Sequence, residues 1–374
     1  MKALVTGGAG FIGSHIVDLL LEQGYEVRVF DNLEFPTHAQ GLPSYLSRNV
    51  EFMQGDMRDK DAITKAIRNV DVVLHQAATG GFTPNFSSYI ACNSLGTAQM
   101  LEVIINDRLP VKKIVLASSI AVYGEGKYRC AEHGIIFPSL RSVEQMEQGA
   151  WEVKCIHCGA PLEPLLVDEE KPVNPATPYS VSKYDQERLV SIFGRYAGIP
   201  TVALRYFITY GPRQSVHNPY TGVCSIFSTR IMNSLPTIIY EDGNQTRDFV
   251  FVSDVARANL FVLENSRADF GVFNVGTGKT TTIRQLSELL QECLGRKGQI
   301  EFPGRFRPGD VRHMAADTNR LAQLGFQAKY SLKEGLQQYV EWLVEQDRIP
   351  EYFTDAEEYL KNCGVVRSVK NKII

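Results

Sequence analysis

No apolar run in the 374-residue sequence reaches the roughly eighteen residues that a membrane-spanning helix needs, so no membrane partner is expected. An excess of charge of one sign is also missing. Thirty-nine Lys and Arg stand against forty-two Asp and Glu, a net charge of −3, which supplies no global field for nucleic acid. The N-terminus, MKALVTGGAGFIGSH, breaks its apolar stretch with glycines and lacks a small-residue cleavage site, so no secretory signal is expected. The seven cysteines are odd in number and scattered. That argues against a disulfide framework and for reduced thiols or metal ligands in a cytoplasmic protein. Internal repeats and low-complexity segments are absent as well. What is present is a globular balance, 44% hydrophobic and 22% charged, in a chain long enough for one large domain or two packed lobes.

The order of elements predicts an α/β fold, a Rossmann-type doubly wound parallel sheet with a smaller C-terminal α/β substrate lobe. Strands are expected at Lys2–Thr6, Tyr25–Asp31, Val50–Gln54, Asp71–His75, Lys112–Ser118 and Thr201–Phe207, and helices at Ile12–Gln23, Ser87–Asn106 and Tyr179–Ala197. Beyond residue 211 proline and glycine become frequent, with helices near Gly222–Asn233, Ser253–Asn265 and Thr282–Cys293. The expected divisions are 1–210 for the first lobe, 211–347 for the second, and a charged tail at 348–374 that lies on the surface or at a subunit contact. A stretch at about 125–170 breaks the rhythm and reads as an insertion after the fifth strand.

Gly7, Gly10 and Gly13 form GxxGxxG between a strand and a helix. This pattern gives a tight turn, close backbone approach to a pyrophosphate, and close helix–strand packing, with the helix N-terminus facing the anion. Asp31 ends the second strand where a carboxylate reaches the adenosine ribose hydroxyls; it would repel a 2′-phosphate, and no Arg immediately follows, so NAD is favoured over NADP. Asp56 and Met57 close the third strand as an edge for the adenine. The small residues of His75–Ala78 let backbone pass close to the cofactor, His75 itself reading as a packed core histidine.

Tyr179 and Lys183, in YSVSK, lie one turn apart on one helical face. An ammonium beside a phenol stabilises the phenolate and lowers the tyrosine pKa, giving a base usable near neutral pH. Ser119 can hydrogen-bond the same substrate oxygen. In the insertion, Cys130 and His133 form CxxH, and Cys155 and Cys158 form CxxC, a spacing suited to one structural zinc. His157 is a poorer ligand candidate inside its knuckle, and empty knuckles with reduced thiols are the alternative.

Across roughly Met1–Glu345 the chain resembles extended short-chain dehydrogenase/reductases of the nucleotide-sugar epimerase/dehydratase family. The motifs that carry the resemblance are TGGAGFIGSH, GDM, HQAA, NSLGT, SSIAVYG, YSVSK, RYFITYGPRQ, EDGNQTRDFVFVSDVA, NVGTG and RPGDVR. It implies Ser119, Tyr179 and Lys183 as the catalytic set. It implies NAD contacts from Gly7, Gly10, Phe11, Ile12, Gly13, Asp31, Asn32, Asp56, Met57, Gln76, Ala77, Ala78, Asn93, Tyr179 and Lys183. Thr79, Ser119, Tyr179, Arg247, Arg307 and Asp310 are implied to contact a nucleoside diphosphate sugar, the arginines at its diphosphate. Asn93 is implied to hold backbone. A homodimer through the helices near Ser87–Asn106 and Tyr179–Ala197 is also implied.

Dehydratases of this family carry an Asp-Glu pair before VYG; here the two positions are Ile120 and Ala121, which transfer no proton. The expectation is therefore a 4-epimerase acting on a dTDP- or UDP-hexose through a transient 4-keto sugar, with Tyr179 as base. The segment SVHNPYTGVCSIFSTR followed by IIYEDGNQTRDF is most similar to dTDP-L-rhamnose 4-epimerase-like members. The rivals are a 4-keto sugar nucleotide reductase or dehydrogenase, another NAD-dependent sugar nucleotide epimerase, and a non-catalytic dinucleotide sensor. Ile208 replaces the family's usual Asn near the sugar or diphosphate, and Met314 stands at its expected gate on the sugar's 2-substituent.

Overall fold

A computed structural model describes residues 1–35, 37–81, 85–216, 222–346, 349 and 351–370. Residues 217–221 of the SVHNPYTGVCSIFSTR segment, and residues 347, 348, 350 and 371–374 around and within the expected tail, lie outside the described residues. Seven strands form one parallel sheet, in the order Val272–Val275, Thr201–Tyr206, Lys113–Ser119, Val72–His75, Lys2–Thr6, Glu26–Asp31, Glu51–Gln54. The strand order reverses between Lys2–Thr6 and Val72–His75, and this switch point opens a crevice at the carboxyl ends of the strands. Both sheet faces are covered, as purely parallel sheets require. Ala3 and Val5 point into one core with Ile16, Val17, Leu20, Val255 and Val262, while Leu4 points into the other with Ile63, Met100, Ile104 and Phe193.

The predicted strands of the first lobe coincide with observed ones to within a residue at each end. The helix expected at Ser87–Asn106 is composite: Phe86–Tyr89, a wider-turned stretch at Ile90–Leu95, and Gly96–Asn106. Widened turns of this kind accompany functional positions, and Asn93 sits in this one. The helix Lys60–Ile67 was not anticipated, although its Asp59 cap, accepting from the Asp61 and Ala62 amides, is a readable start signal.

Two expectations are corrected by the packing. The chain does not leave the first lobe at residue 210, because helix Val252–Glu264 packs on Phe11–Glu22 and strand Val272–Val275 joins the sheet edge beside Thr201–Tyr206. The strand VFNV presents Phe273 and Val275 to one core, and on its other face buries Asn274, whose side chain is satisfied by Tyr123 Oη at 2.7 Å and the Val167 carbonyl at 2.8 Å, so it is stable only where both faces are covered. The described part of the tail is docked rather than loose. Helix Phe353–Asn362 buries Ala356 and Leu360, and Arg367–Ser368 pairs antiparallel with Arg305–Phe306. The second lobe is built around Phe227, Phe249, Phe251, Leu286, Leu336 and Tyr339.

Candidate active site

The crevice at the switch point is lined by Gly7, Gly10, Phe11, Ile12, Gly13, Asp31, Asn32, Met57, Gln76, Ala77, Ala78, Thr79, Tyr179 and Lys183. Gly7 has φ +67°, and a Cβ there would stand 2.8 Å from the Ala77 nitrogen. A Cβ on Gly13 would meet the Gly7 carbonyl oxygen at 2.1 Å. The turn thus needs both glycines, and what it leaves clear is a backbone cradle at a helix N-terminus, the geometry that fits a pyrophosphate. Asp31 is fixed beside it, accepting from the amides of Ala9 at 3.1 Å and Leu33 at 2.9 Å. Two expected residues lie just behind the lining. Asp56 accepts from Asn32 Nδ2 at 2.8 Å, and its carboxyl is held down to about 2, first by the Arg58 guanidinium. Asn93 grips the Thr79 backbone from both sides, accepting from its amide at 2.8 Å and donating to its carbonyl at 3.0 Å.

Tyr179 and Lys183 lie on helix Pro178–Ala197, which starts sharply because Thr177 and Ser180 form a reciprocal cap, Pro178 takes the first position, and Gly198 closes the end at φ +68°. That cap is worth about 1 kcal/mol. The helix is pinned to the strand carrying Ser119 through Glu187, which accepts from Ser118 at 2.7 Å and from Arg205 at 2.6 and 3.0 Å. The Ser119 hydroxyl accepts from the Ala121 amide at 3.1 Å and lies close enough to the Tyr179 phenol to favour its ionised form; it is Ser118 of this strand, not Ser119, that lines the crevice.

The expected depression of the phenol pKa by Lys183 is not what the protein alone produces. Burial dominates and pushes Tyr179 up, with the Ser119 hydrogen bond acting against it. Burial also pushes Lys183 down, to about 8. Its ammonium donates to Gln186 Oε1 at 2.6 Å. Gln186 Nε2 donates to Thr97 Oγ1 at 2.8 Å, and Thr97 spends its own proton on the Asn93 carbonyl at 2.6 Å. His75 Nε2 lies 2.9 Å from Thr97 Oγ1 and 3.2 Å from Gln186 Nε2, and its Nδ1 lies 2.6 Å from Thr6 Oγ1, so both ring nitrogens are hydrogen-bonded inside the protein. Burial lowers His75 to about 3, so it is neutral and structural, as read from sequence.

In the second lobe Arg247, Arg307 and Asp310 line a separate cavity with Ile208, Tyr240 and Gln245. Arg247 is held by backbone carbonyls, Val311 at 2.7 Å, Thr246 at 2.8 Å and Arg312 at 3.2 Å, and forms no ion pair among the described residues. Arg307 Nε donates to Asp310 at 2.9 Å. Ile208 thus does face the expected arginines, as an apolar wall. Met314 differs from expectation: it is packed with Val122, Tyr123 and Phe207 and lines neither the crevice nor this cavity, because its strand turns it into the interlobe core.

The insertion folds as a small three-stranded sheet that gathers Cys130, His133, Cys155 and Cys158, their ligand atoms all within 4.8 Å of one another. Cys130 Sγ stands 3.7 Å from Cys158 Sγ and 3.5 Å from His133 Nδ1. A tetrahedral ion with bonds of about 2.3 Å to sulfur sets S···S edges near 3.8 Å, so the thiols are spaced for one. His133 beside it draws the Cys130 thiol down to about 6.

Sequence reading missed Gln186, Thr97 and Thr6, whose partners lie up to 111 residues away. It also missed His38, buried 3.7 Å from Asp31 in a loop without periodicity.

The profile of the NAD dependent epimerase/dehydratase family matches residues 3–135 and 158–276. The gap falls inside the cysteine-bearing insertion. A Methanocaldococcus jannaschii protein provisionally named a UDP-glucose 4-epimerase is 36% identical, covering 92% of this chain and 99% of its own. The dTDP-L-rhamnose 4-epimerase of Burkholderia thailandensis is 33% identical, covering 92% and 95%. Among solved structures, the Thermus thermophilus UDP-glucose 4-epimerase complex with NAD superposes with TM-score 0.74 at 30% identity, covering 93% of this chain and all of the other.

Proposed function

The chain belongs to the NAD dependent epimerase/dehydratase family, and on that premise we propose that it is a nucleoside diphosphate hexose 4-epimerase. The observation that carries this reading is the pairing of Tyr179 and Lys183 at the crevice, with Ser119 beside the phenol, and two side chains, Ile120 and Ala121, that have no proton to move. Bound NAD supplies a hydride acceptor for carbon 4 of the sugar and then the returning hydride. Tyr179 takes the proton from the 4-hydroxyl oxygen and gives it back. Ser119 holds that oxygen, and Lys183 favours the phenolate electrostatically. No acid or base is required at carbons 5 or 6. Arg247 and Arg307 bind the diphosphate, a role suited to permanently charged guanidiniums. Incubation with UDP- and dTDP-hexoses should yield the 4-epimer with no net change in NADH absorbance; net NADH production or consumption would instead support a dehydrogenase or reductase.

Asp31 reads the adenosine ribose of NAD in this proposal. Asp31→Ala should weaken NAD by roughly 10-fold or more, the worth of a charge-assisted hydrogen bond, and narrow the preference over NADP. A binding titration with unchanged preference would remove Asp31 from that role.

The Cys130, His133, Cys155 and Cys158 cluster is proposed as a structural zinc site, supported by its spacing and by three thiols with one imidazole. Reduced thiols fit a cytoplasmic location. We propose a homodimer, supported by exposed apolar side chains on the two helical elements, Phe86, Ile90, Leu95, Val181, Ile192 and Tyr196. Light scattering should return twice the 41.8 kDa chain mass; a monomer mass would exclude the interface.

A further inference from the structure

The second-lobe cavity has two chemically different sets of lining residues. Arg247, Arg307 and Asp310 form the charged one; Ile226, Ile283, Phe353 and Leu360 form an apolar one, with Tyr240 and Gln245 among the other lining residues. Phe353 and Leu360 come from the C-terminal helix Phe353–Asn362. Seven residues apart, they stand on one face, two turns from each other. The helix is strapped in place rather than merely resting there. Glu357, 5% exposed, accepts from Tyr240 at 2.9 Å and pairs with Arg305 at 2.5 Å. Ahead of the helix, Glu351 pairs with Arg230 at 3.0 Å, and the Arg230 guanidinium sits 5.4 Å from the Phe353 ring centre. After it, Val369 donates to the Gly304 carbonyl at 2.9 Å. An aromatic ring fixed by a guanidinium, lining one cavity with a half-buried arginine that has no carboxylate pair among the described residues, is suited to a ligand with a flat heterocycle and phosphates.

We propose that the C-terminal helix forms a wall of the nucleoside subsite, with Phe353 and Leu360 packing against the base of the nucleoside diphosphate. This rests on the nucleotide-sugar reading and adds to it a substrate contact from a segment outside the family match, which ends at residue 276. Phe353 and Leu360 hold the base, far from the reacting carbon, so they set affinity and leave the chemical step alone.

The test is calorimetric titration of the NAD-loaded full chain with UDP, dTDP and inorganic pyrophosphate. Phe353→Ala is expected to weaken UDP and dTDP by roughly 10-fold, the scale of one base–aromatic contact, and to leave pyrophosphate unchanged. Phe353→Tyr, which keeps the ring, should restore both nucleotides, and Leu360→Ala should act in the same direction as Phe353→Ala. In turnover, KM should rise with kcat unchanged. Wild-type affinity for UDP and dTDP in both alanine variants would overturn the proposal, as would equal losses for pyrophosphate, which would mark a general loosening of the lobe. If the wild-type protein bound pyrophosphate but neither nucleotide, the nucleotide-sugar reading would fall, and this inference with it.

Discussion

Tyr179→Phe is expected to lower kcat by roughly 100-fold or more while NAD stays bound, since a positioned general base contributes about 10²–10⁴-fold. The change removes one oxygen and leaves the ring in place. The glycine turn and Asp31, which carry the proposed NAD contacts, lie on other elements. The electrostatics of the site sharpen the expectation. Burial raises the Tyr179 phenol above its ordinary value and lowers the Lys183 ammonium to about 8, so the two move apart and the neutral forms of both groups are favoured. Activity that needs the phenolate and the ammonium together should therefore still rise and then fall with pH, carried by a small fraction of the protein at any pH. Lys183→Met should shift the rising limb to higher pH, because burial, the larger of the remaining causes, disfavours the phenolate. A near-normal rate in Tyr179→Phe, or a pH profile unmoved in Lys183→Met, would take those residues out of their roles.

Cys155→Ser is expected to abolish stoichiometric zinc and to raise the substrate KM by roughly 10-fold or more, with NAD affinity retained. Elemental analysis of the wild-type protein should find about one zinc per chain. The loss is large because ligation is coupled to folding of a segment whose own apolar core is only Tyr128, Cys130, Ile136, Val153, Cys155 and Leu162. The structure also links that segment to the second-lobe cavity, the proposed diphosphate site. Arg141, on the insertion, donates to both carboxylate oxygens of Glu241 at 2.7 and 2.8 Å and to the Asp310 carbonyl at 3.0 Å. Trp151 packs near Phe306, its ring centre 6.1 Å away, beside Arg307. Glu241 and Asp310 line the cavity that holds the arginines. Displacements of about 1 Å in groups that position a substrate cost up to about 100-fold, and an insertion that has lost its metal no longer fixes these contacts. Metal-free protein with wild-type KM would show the four ligands to be dispensable.

Much of this protein is written locally. Strands buried on both faces must be continuously apolar, so KALVT and KIVLASS declare themselves, and GxxGxxG is legible because a turn that lets Gly13 approach the Gly7 carbonyl admits no Cβ. The i, i+4 spacing put Tyr179 and Lys183 on one face, and the CxxH and CxxC knuckles carried their own geometry. A local pattern states which face of an element is apolar, however, and never which distant element covers it. The return of Val272–Val275 to the sheet edge, the burial of Met314, and the docking of Phe353–Asn362 against the cavity of Arg247 and Arg307 were decided by partners far along the chain. So was the balance at Tyr179. The sequence placed a lysine one turn away, but only the packed structure made burial the larger effect and turned Lys183 toward Gln186, because desolvation depends on everything that surrounds a group and spacing records only its neighbours.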